Sequence, residues 1–241
     1  MTQDYNESSL QKIARLAGIM FLLLPIGGIL YGAFIMFKLT DPGNVITTTK
    51  NILANTTLFR IGILYEVSIS VVAIILGSAL YKMLKPVNKQ LAFTALLFKL
   101  AEAIIVTVMA LLSFIALQIL MGDTSGTLLA SKQLQVIFGA FFNAHMLLYA
   151  IPMVFLGISF PLFFHVLKKS GYVPKKLACF GIVSYILILL FSLLSILTPQ
   201  CLQKMPQVLF WGPSVIFELV IGLWLVIKGI NIQDNGTKQA A

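Results

Sequence analysis

Three ionisable residues lie inside long apolar stretches of the sequence and are the best candidates for chemistry. Lys99 and Glu102 lie within 91–120, and Glu218 lies within 208–228. An ionisable side chain at the centre of a bilayer costs about 2.5–3.5 kcal/mol, so each one needs a structural or functional reason. Lys99 and Glu102 are three positions apart, which predicts an ion pair on one face of a helix.

These residues are predicted to share one layer near the middle of a membrane. At ~1.5 Å per residue, Lys99 and Glu218 each lie about 15 Å from the nearest basic segment, and Glu102 lies about 20 Å from it. We therefore predict a midplane polar site formed by Lys99, Glu102 and Glu218. Lys99 is long enough to extend toward the membrane surface, which leaves carboxylates that need a proton, a bound cation or a water-filled cavity. The alternative is an ion pair that only fixes the packing of two helices.

Glu66 and His145 form a second and weaker group of candidates. By the same rule they lie about 24 Å and 34 Å from the basic segments, so we predict that they form an outer entrance to the midplane site or are ordinary interfacial side chains. Two such ligands on separate helices do not make a metal-binding motif, and no metal is predicted. Cys179 and Cys201 lie at opposite ends of one predicted helix, so we expect neither a disulfide nor a thiolate metal site.

The sequence lacks the common sequence motifs of enzyme active sites and nucleotide-binding sites. It contains no HExxH, no GxSxG, no GxxxxGK[ST] and no GxGxxG. These patterns bind zinc, present a serine nucleophile or hold phosphate groups. The sequence therefore predicts no catalytic residue and no cofactor, and an enzyme is the less favoured class.

The elements that must position these residues are membrane-spanning helices. Of the 241 residues, 59% are hydrophobic and 10% are charged, and the mean hydropathy is +0.97. Soluble domains are closer to half apolar and a quarter charged, so the lipid bilayer is the expected partner of this surface. A span needs about 20 apolar residues. We predict an all-α bundle of six transmembrane helices, forming a single integral membrane domain over 1–241, with spans at about 16–37, 61–81, 91–120, 143–167, 177–198 and 208–228.

Two features outside the spans complete this prediction. The first connection, 38–60, is rich in Thr and Asn and is predicted to be a loop. The uncharged stretch 133–167 is interpreted as one span preceded by an amphipathic extension over 133–142 rather than as two crossings.

The basic residues predict the orientation of the chain. The net charge is +9, but the cations lie in short segments between apolar runs, which argues against a nucleic-acid partner. Eleven Lys and Arg residues fall on the side that holds both termini and the connections 82–89 and 168–176, and five fall on the opposite side. Cytoplasmic loops carry an excess of Lys and Arg, so both termini are predicted to be cytoplasmic.

Small and aromatic residues add two packing predictions. Gly28 and Gly32 form a GxxxG pair, which predicts close helix packing within the bundle, with a homo-oligomer as the alternative. Aromatic residues near the ends of the spans are predicted to anchor the protein at the membrane interfaces. They are Tyr81, Tyr172, Trp211 and Trp224.

Several fragments, in this order and spacing, resemble a known family across nearly the whole chain. They are "ARLAGI" (14–19), "LFRIGI" (58–63), "LYKMLKPVNKQLA" (80–92), "FKLAEA" (98–103), "KSGYVPKKL" (169–177) and "ELVIGLWLVIKG" (218–229). The chain resembles the bacterial multi-pass membrane proteins catalogued as domain of unknown function 4386. The resemblance implies a protein of the bacterial cytoplasmic (inner) membrane with no established activity. Relatives commonly have Arg where Lys99 stands, and a buried Lys, unlike Arg, can lose its proton.

The sequence thus predicts a multi-pass membrane protein and leaves three functional classes open. A small transport or channel-like module that handles an ion or a small molecule is favoured, because ionisable residues inside a membrane commonly line solute pathways. An intramembrane lipid-modifying enzyme would need a cavity open to one leaflet and a nucleophile or metal near the carboxylates. A structural or partner-binding subunit would need a dry, packed midplane.

Overall fold

A computed structural model describes residues 7–41, 43–121, 138–139, 142, 148–198 and 208–231. Within these ranges there is no strand, and six helices are long and apolar enough to cross a membrane. The chain is therefore a polytopic, all-α membrane protein, as its composition predicts.

The six spans agree with the predicted segments, and the ends differ by a few residues to about two turns. The first helix, α1 (Glu7–Leu30), continues through a π-helical turn, Tyr31–Met36, and a last α-helical turn, Phe37–Leu39. A short helix, α2 (Val45–Ala54), follows. The other five spans are α3 (Thr56–Leu84), α4 (Lys89–Met121), α5 (Ala150–Ser170), α6 (Lys175–Leu197) and α7 (Val208–Ile227). Most of the predicted extension 133–142 lies outside the described residues.

The prediction of a loop over 38–60 is wrong because it contains α2. Asn44 begins this helix, and its side chain accepts a hydrogen bond from the backbone N–H of Thr47 at 3.1 Å. Such a cap satisfies a free donor in the first turn. Ile52 is completely buried in a small apolar cluster with residues of α3 and α4. Packing of one apolar side chain thus stabilises a helix that its Thr-rich sequence does not favour.

The spanning helices form a closed ring. Each one packs against the next along the chain, in the order α1, α3, α4, α5, α6, α7, and α7 packs back against α1. A ring of six helices has an outer surface toward lipid and an inner surface toward the middle. The outer surface is strongly apolar, with large side chains that are 65–86% exposed at Phe34, Phe37, Leu64, Leu197 and Ile227. Acyl chains must cover these residues.

The two short connections lie at one end of the bundle, named here the basic end after its lysines (Lys82, Lys85, Lys89, Lys168, Lys169, Lys175 and Lys176). Asn88 accepts a hydrogen bond from the N–H of Leu91 at 3.0 Å and so caps α4. Gly171, with φ of +71°, ends α5 in the left-handed conformation. Both ends of the described chain also meet here, where the Gln11 amide donates to the carbonyl of Ile230 at 2.6 Å and accepts from its N–H at 3.1 Å.

Glycines bring helices into contact at different positions from those predicted. A methyl group on Gly18 would lie 2.8 Å from the carbonyl oxygen of Gly222, so the backbones of α1 and α7 touch there. Nothing lies within 4 Å of the same point on Gly32, and Gly28 approaches only the Tyr65 hydroxyl, at 3.7 Å. The predicted close packing at Gly28 and Gly32 is therefore wrong within the described chain. The GxxxG spacing indicates that another helix could pack closely against these glycines, but it does not determine whether any helix does so.

Candidate functional site

A cavity of about 370 Å³ lies inside the ring and is lined by residues of all six spanning helices. Its polar lining includes the three midplane candidates, Lys99, Glu102 and Glu218. Glu66, the predicted entrance residue, lines the same space. His145 lies outside the described residues. The volume is at the low end of the range of about 300–1,000 Å³ that is typical of small-molecule pockets.

Lys99 and Glu102 form the ion pair that their spacing predicts. The Lys99 Nζ atom lies 2.7 Å from Glu102 Oε2, and the two side chains are 1% and 9% exposed. Room for the lysine stem comes from Gly77 on α3, where a methyl group would lie 3.0 Å from Lys99 Cγ. The ammonium also lies 4.4 Å from the centroid of the Phe160 ring, within cation–π range. Lys99 therefore does not extend to the membrane surface, because its charge is held inside the bundle.

Glu218 projects from the middle of α7 toward α6. Its Oε1 accepts a hydrogen bond from the hydroxyl of Tyr185, a residue with no exposed surface. A buried tyrosine hydroxyl normally needs a hydrogen-bond partner. A hydrogen bond to a carboxylate is stronger than one to a neutral acceptor. Tyr185 thus fixes the direction of the Glu218 side chain while Glu218 remains part of the cavity lining.

Glu66 is held by a second tyrosine, which lies on the neighbouring first span. The Tyr31 hydroxyl lies 3.2 Å from Glu66 Oε1 and donates to it. The rings of Tyr31 and Tyr65 are stacked, with centroids 4.6 Å apart and planes at 16°. Tyr31 is the first residue of the π-helical turn, a type of irregularity that is frequent at functional sites. Two carboxylates of the cavity are therefore each oriented by a tyrosine of a neighbouring helix.

Aromatic side chains surround the part of the cavity that is farther from the basic end. Tyr31, Tyr65, Tyr149 and Trp211 all line it. The rings of Tyr149 and Trp211 have centroids 6.0 Å apart. Trp211 therefore lines the cavity, and its role as an anchor at the membrane interface stays a prediction.

On the side of the basic end, the cavity is closed by packed aromatic rings. The aromatic cluster consists of five residues without exposed surface, Phe21, Phe160, Phe164, Tyr185 and Phe217. Neighbouring centroids are 4.4 Å apart for Phe160 and Tyr185 and 4.7 Å apart for Phe164 and Phe217. This layer contains rings from four of the six spanning helices, namely α1, α5, α6 and α7, and so connects these helices in the interior of the bundle.

The arrangement combines charge, aromatic faces and a mostly apolar wall. The lining residues that the structure describes include one cation and three carboxylates, and that cation, Lys99, is paired with Glu102. In the described part of the chain, no three His, Cys, Asp or Glu residues are grouped so that they could hold a metal ion. Cys179 is half-buried and free, and Cys201 lies outside the described residues. The site is therefore suited to holding a small solute by charge and shape.

Sequence reasoning identified the charged residues of the cavity and missed the tyrosines. Tyr31 and Tyr65 lie deep in apolar spans, and a hydroxyl at such a position must find a partner. This requirement for a partner could have identified the two tyrosines as members of a polar site. What the sequence does not specify is which carboxylate on which helix would be the partner.

A model of one protein family, described as "Domain of unknown function (DUF4386)", matches residues 16–229. The matched region contains every charged residue that lines the cavity. No curated protein and no solved structure matches the chain.

Proposed function

We propose a function for this chain, which belongs to the DUF4386 family, from the chemistry of its central cavity. The protein is a small transport module that binds a solute in the cavity and passes it across the membrane. Lys99, Glu102 and Glu218 form the midplane part of the binding site, and Glu66 forms its entrance. His145 belongs to the same proposal as a second entrance residue.

The observation that carries this proposal is the convergence of four ionisable side chains on one cavity in the middle of an apolar ring. An ion pair that only fixes helix packing would account for Lys99 and Glu102. It would not account for Glu66 and Glu218, which face the same space from two further helices. Ionisable groups are costly inside a membrane and are commonly found on solute pathways.

The packing on the two sides of the cavity suggests how passage is controlled. The aromatic cluster closes the cavity toward the basic end, and the remaining lining extends toward the opposite end. A transport cycle would separate these rings while the opposite end closes. Because the rings belong to four helices, a small rotation of α6 and α7 against α1 and α5 would be sufficient to open the layer.

The proposal includes a location and an orientation. The charge asymmetry of eleven cations against five favours cytoplasmic termini. The DUF4386 membership supports a bacterial inner membrane, and the closed ring supports one membrane domain.

Cysteines at Val87 and Lys168, in or beside the two short connections, should both react with an impermeant thiol reagent only after cells are opened. Reaction of either one in intact cells would contradict this orientation.

Cysteine accessibility tests the transport proposal. In a Cys179→Ser/Cys201→Ser background, Ser214→Cys introduces one thiol into the cavity lining. Ser184→Cys is the matched control, because Ser184 is also buried on a helix but does not line the cavity. Both variants are reconstituted in vesicles of each orientation and treated with an impermeant trimethylammonium methanethiosulfonate. A separate variant, Val87→Cys, reports which face of the protein is outside.

Three outcomes separate the functional classes. A transport module predicts that Ser214→Cys reacts from both faces while Ser184→Cys does not react. Reaction from one face only would contradict passage across the membrane. Reaction only with a lipid-soluble maleimide would favour the lipid-modifying enzyme, and no reaction with any reagent would favour the structural subunit.

A further inference from the structure

The charge of the cavity lining points to the sign of the solute. Among the described residues, this lining contains three carboxylic acids and one lysine. Lys99 lies against Glu102 at 2.7 Å, so these two charges largely neutralise each other. When ionised, Glu66 and Glu218 give the described part of the lining a net negative charge. In a low-dielectric cavity such a charge attracts cations and excludes anions.

Aromatic faces accompany these carboxylates. Tyr31 and Tyr65 form a stacked pair next to Glu66. Tyr149, just before α5, and Trp211 on α7 form a second pair. Aromatic faces attract cations through their quadrupole, and quaternary or alkylated ammonium groups are the ligands that aromatic-lined sites recognise best. Lys99 over the ring of Phe160 already shows this interaction inside the protein.

The rest of the lining argues against an inorganic ion. Most of the wall is hydrocarbon, from Leu24, Ile29, Val106, Met153 and Ile188 among others. Hard cations such as Ca²⁺ and Mg²⁺ need six or more oxygen ligands around one point, and the described residues contain no group of three His, Cys, Asp or Glu that could hold a metal ion. A volume of about 370 Å³ also exceeds what a bare ion requires and suits a small molecule with an apolar body.

We propose that the cavity binds a small organic ammonium ion whose cationic group lies between Glu66, Glu218 and the four aromatic rings, and whose apolar body lies against the hydrocarbon wall. This inference rests on the proposed function, because it names the class of solute that the same cavity binds. The tyrosines that hold the two carboxylates orient them for this contact. Binding would bring a positive charge next to Glu66 and Glu218.

Protection of the Ser214→Cys thiol tests the inference in the full-length protein in detergent. The probe is benzyltrimethylammonium, with neopentylbenzene as its neutral isostere and phenylmethanesulfonate as an anion of similar size. Reaction with N-ethylmaleimide is followed by mass spectrometry at rising concentrations of each compound. We expect benzyltrimethylammonium to slow the reaction and the other two compounds to have at least about tenfold weaker effects.

Three variants show which side chains hold the cation. Glu66→Gln and Glu218→Gln should each weaken protection by benzyltrimethylammonium about tenfold. Glu7→Gln, which removes a carboxylate from the exposed start of α1, should leave it unchanged. Because a glutamate variant can fail to fold, Trp211→Leu provides a second test and should weaken protection about fivefold. A monodisperse elution profile is required of each variant.

The failure of this inference differs from the failure of the proposed function. If Ser214→Cys reacts but the neutral or anionic compound protects equally well, or if no compound protects, the organic-cation assignment is overturned and the transport proposal stands. If Ser214→Cys does not react with any reagent, the cavity does not admit solutes and both proposals are overturned.

Discussion

The half of the bundle at the basic end and the opposite half differ in how their helices meet. Near the basic end, α1 and α7 touch backbone to backbone at Gly18 and Gly222. On α6, a methyl group on Gly181 would lie 2.5 Å from the ring of Phe217. Five aromatic rings without exposed surface fill the layer above these contacts. The inward-facing aromatic side chains of this half therefore pack against one another.

In the opposite half, the same helices leave space. The cavity lies there, and its walls carry tyrosine hydroxyls, carboxylates and apolar side chains. The first span adds a π-helical turn at this level, Tyr31–Met36, where Tyr31 reaches Glu66. The comparison indicates that packing in one half holds the ring together, so that the other half can keep an open and polar interior. Lys99 and Glu102 lie at the boundary.

Removing the charge of Lys99 should have the largest effect on stability. Lys99→Met leaves the buried Glu102 carboxylate without its cation, and breaking one side of a buried pair costs about 3–5 kcal/mol. The free energy of unfolding can be measured by titrating the protein from mild detergent into sodium dodecyl sulfate. The double variant Lys99→Met/Glu102→Leu should recover most of the loss, because an apolar pair of similar volume needs no ion pairing. A double variant as unstable as the single one would contradict this explanation.

A matched pair of truncations compares the two halves directly. Leu80→Ala, at a position with no exposed surface, should cost about 2–5 kcal/mol because it opens a void among packed residues. Leu24→Ala, at the cavity wall, should cost less than half as much, because part of that side chain already faces open space. Equal losses in the same unfolding titration would mean that the two halves are equally packed.

Enlarging side chains should give the reverse contrast. Ala79→Leu, in the packed half, should destabilise the protein by about 1–3 kcal/mol through overpacking. Val106→Phe, on the cavity wall, should change the free energy of unfolding by less than about 1 kcal/mol because the ring can enter the cavity. The same variant should abolish protection of Ser214→Cys by benzyltrimethylammonium. Protection that survives a filled cavity would show that the compound binds elsewhere.

The smallest effect is expected at the basic end itself. Gln11→Ala removes two hydrogen bonds to the backbone of Ile230. Partly exposed hydrogen bonds contribute little each, so the expected loss is about 1–2 kcal/mol. The unfolding titration measures it, and solute protection at Ser214→Cys should be unchanged. A large loss of protection would mean that the basic end controls the cavity more closely than its packing suggests.

The six spans could be predicted because length and hydropathy determine them. Apolar runs long enough to cross hydrocarbon must be helical, since every backbone group needs a partner within the segment. Glu102, Glu218 and Lys99 could be predicted for a related reason: charges inside such runs are rare and costly. The ion pair followed from spacing along one helix.

The remaining features depend on contacts between helices, which the sequence does not encode in a simple pattern. Lipid is as apolar as a protein core, so both faces of a spanning helix carry Leu, Ile and Phe, and the face that points inward is not marked. For this reason the partners of Tyr31 and Tyr185 were not predicted, and the glycine contact was expected at Gly28 and Gly32 rather than at Gly18.

The central claim is that the cavity in one half of the bundle admits solutes, whereas the buried side chains of the packed half do not line their path. The most direct measurement is the ratio of the rates at which Ser214→Cys and Ser184→Cys react with the trimethylammonium methanethiosulfonate in lipid nanodiscs. Both serines donate to backbone carbonyls of their own helices, at Trp211 and Phe180, so the two variants lose similar hydrogen bonds. The account predicts that Ser214→Cys reacts at least about a hundredfold faster, because the other thiol is reached only by local unfolding. Equal rates would contradict it.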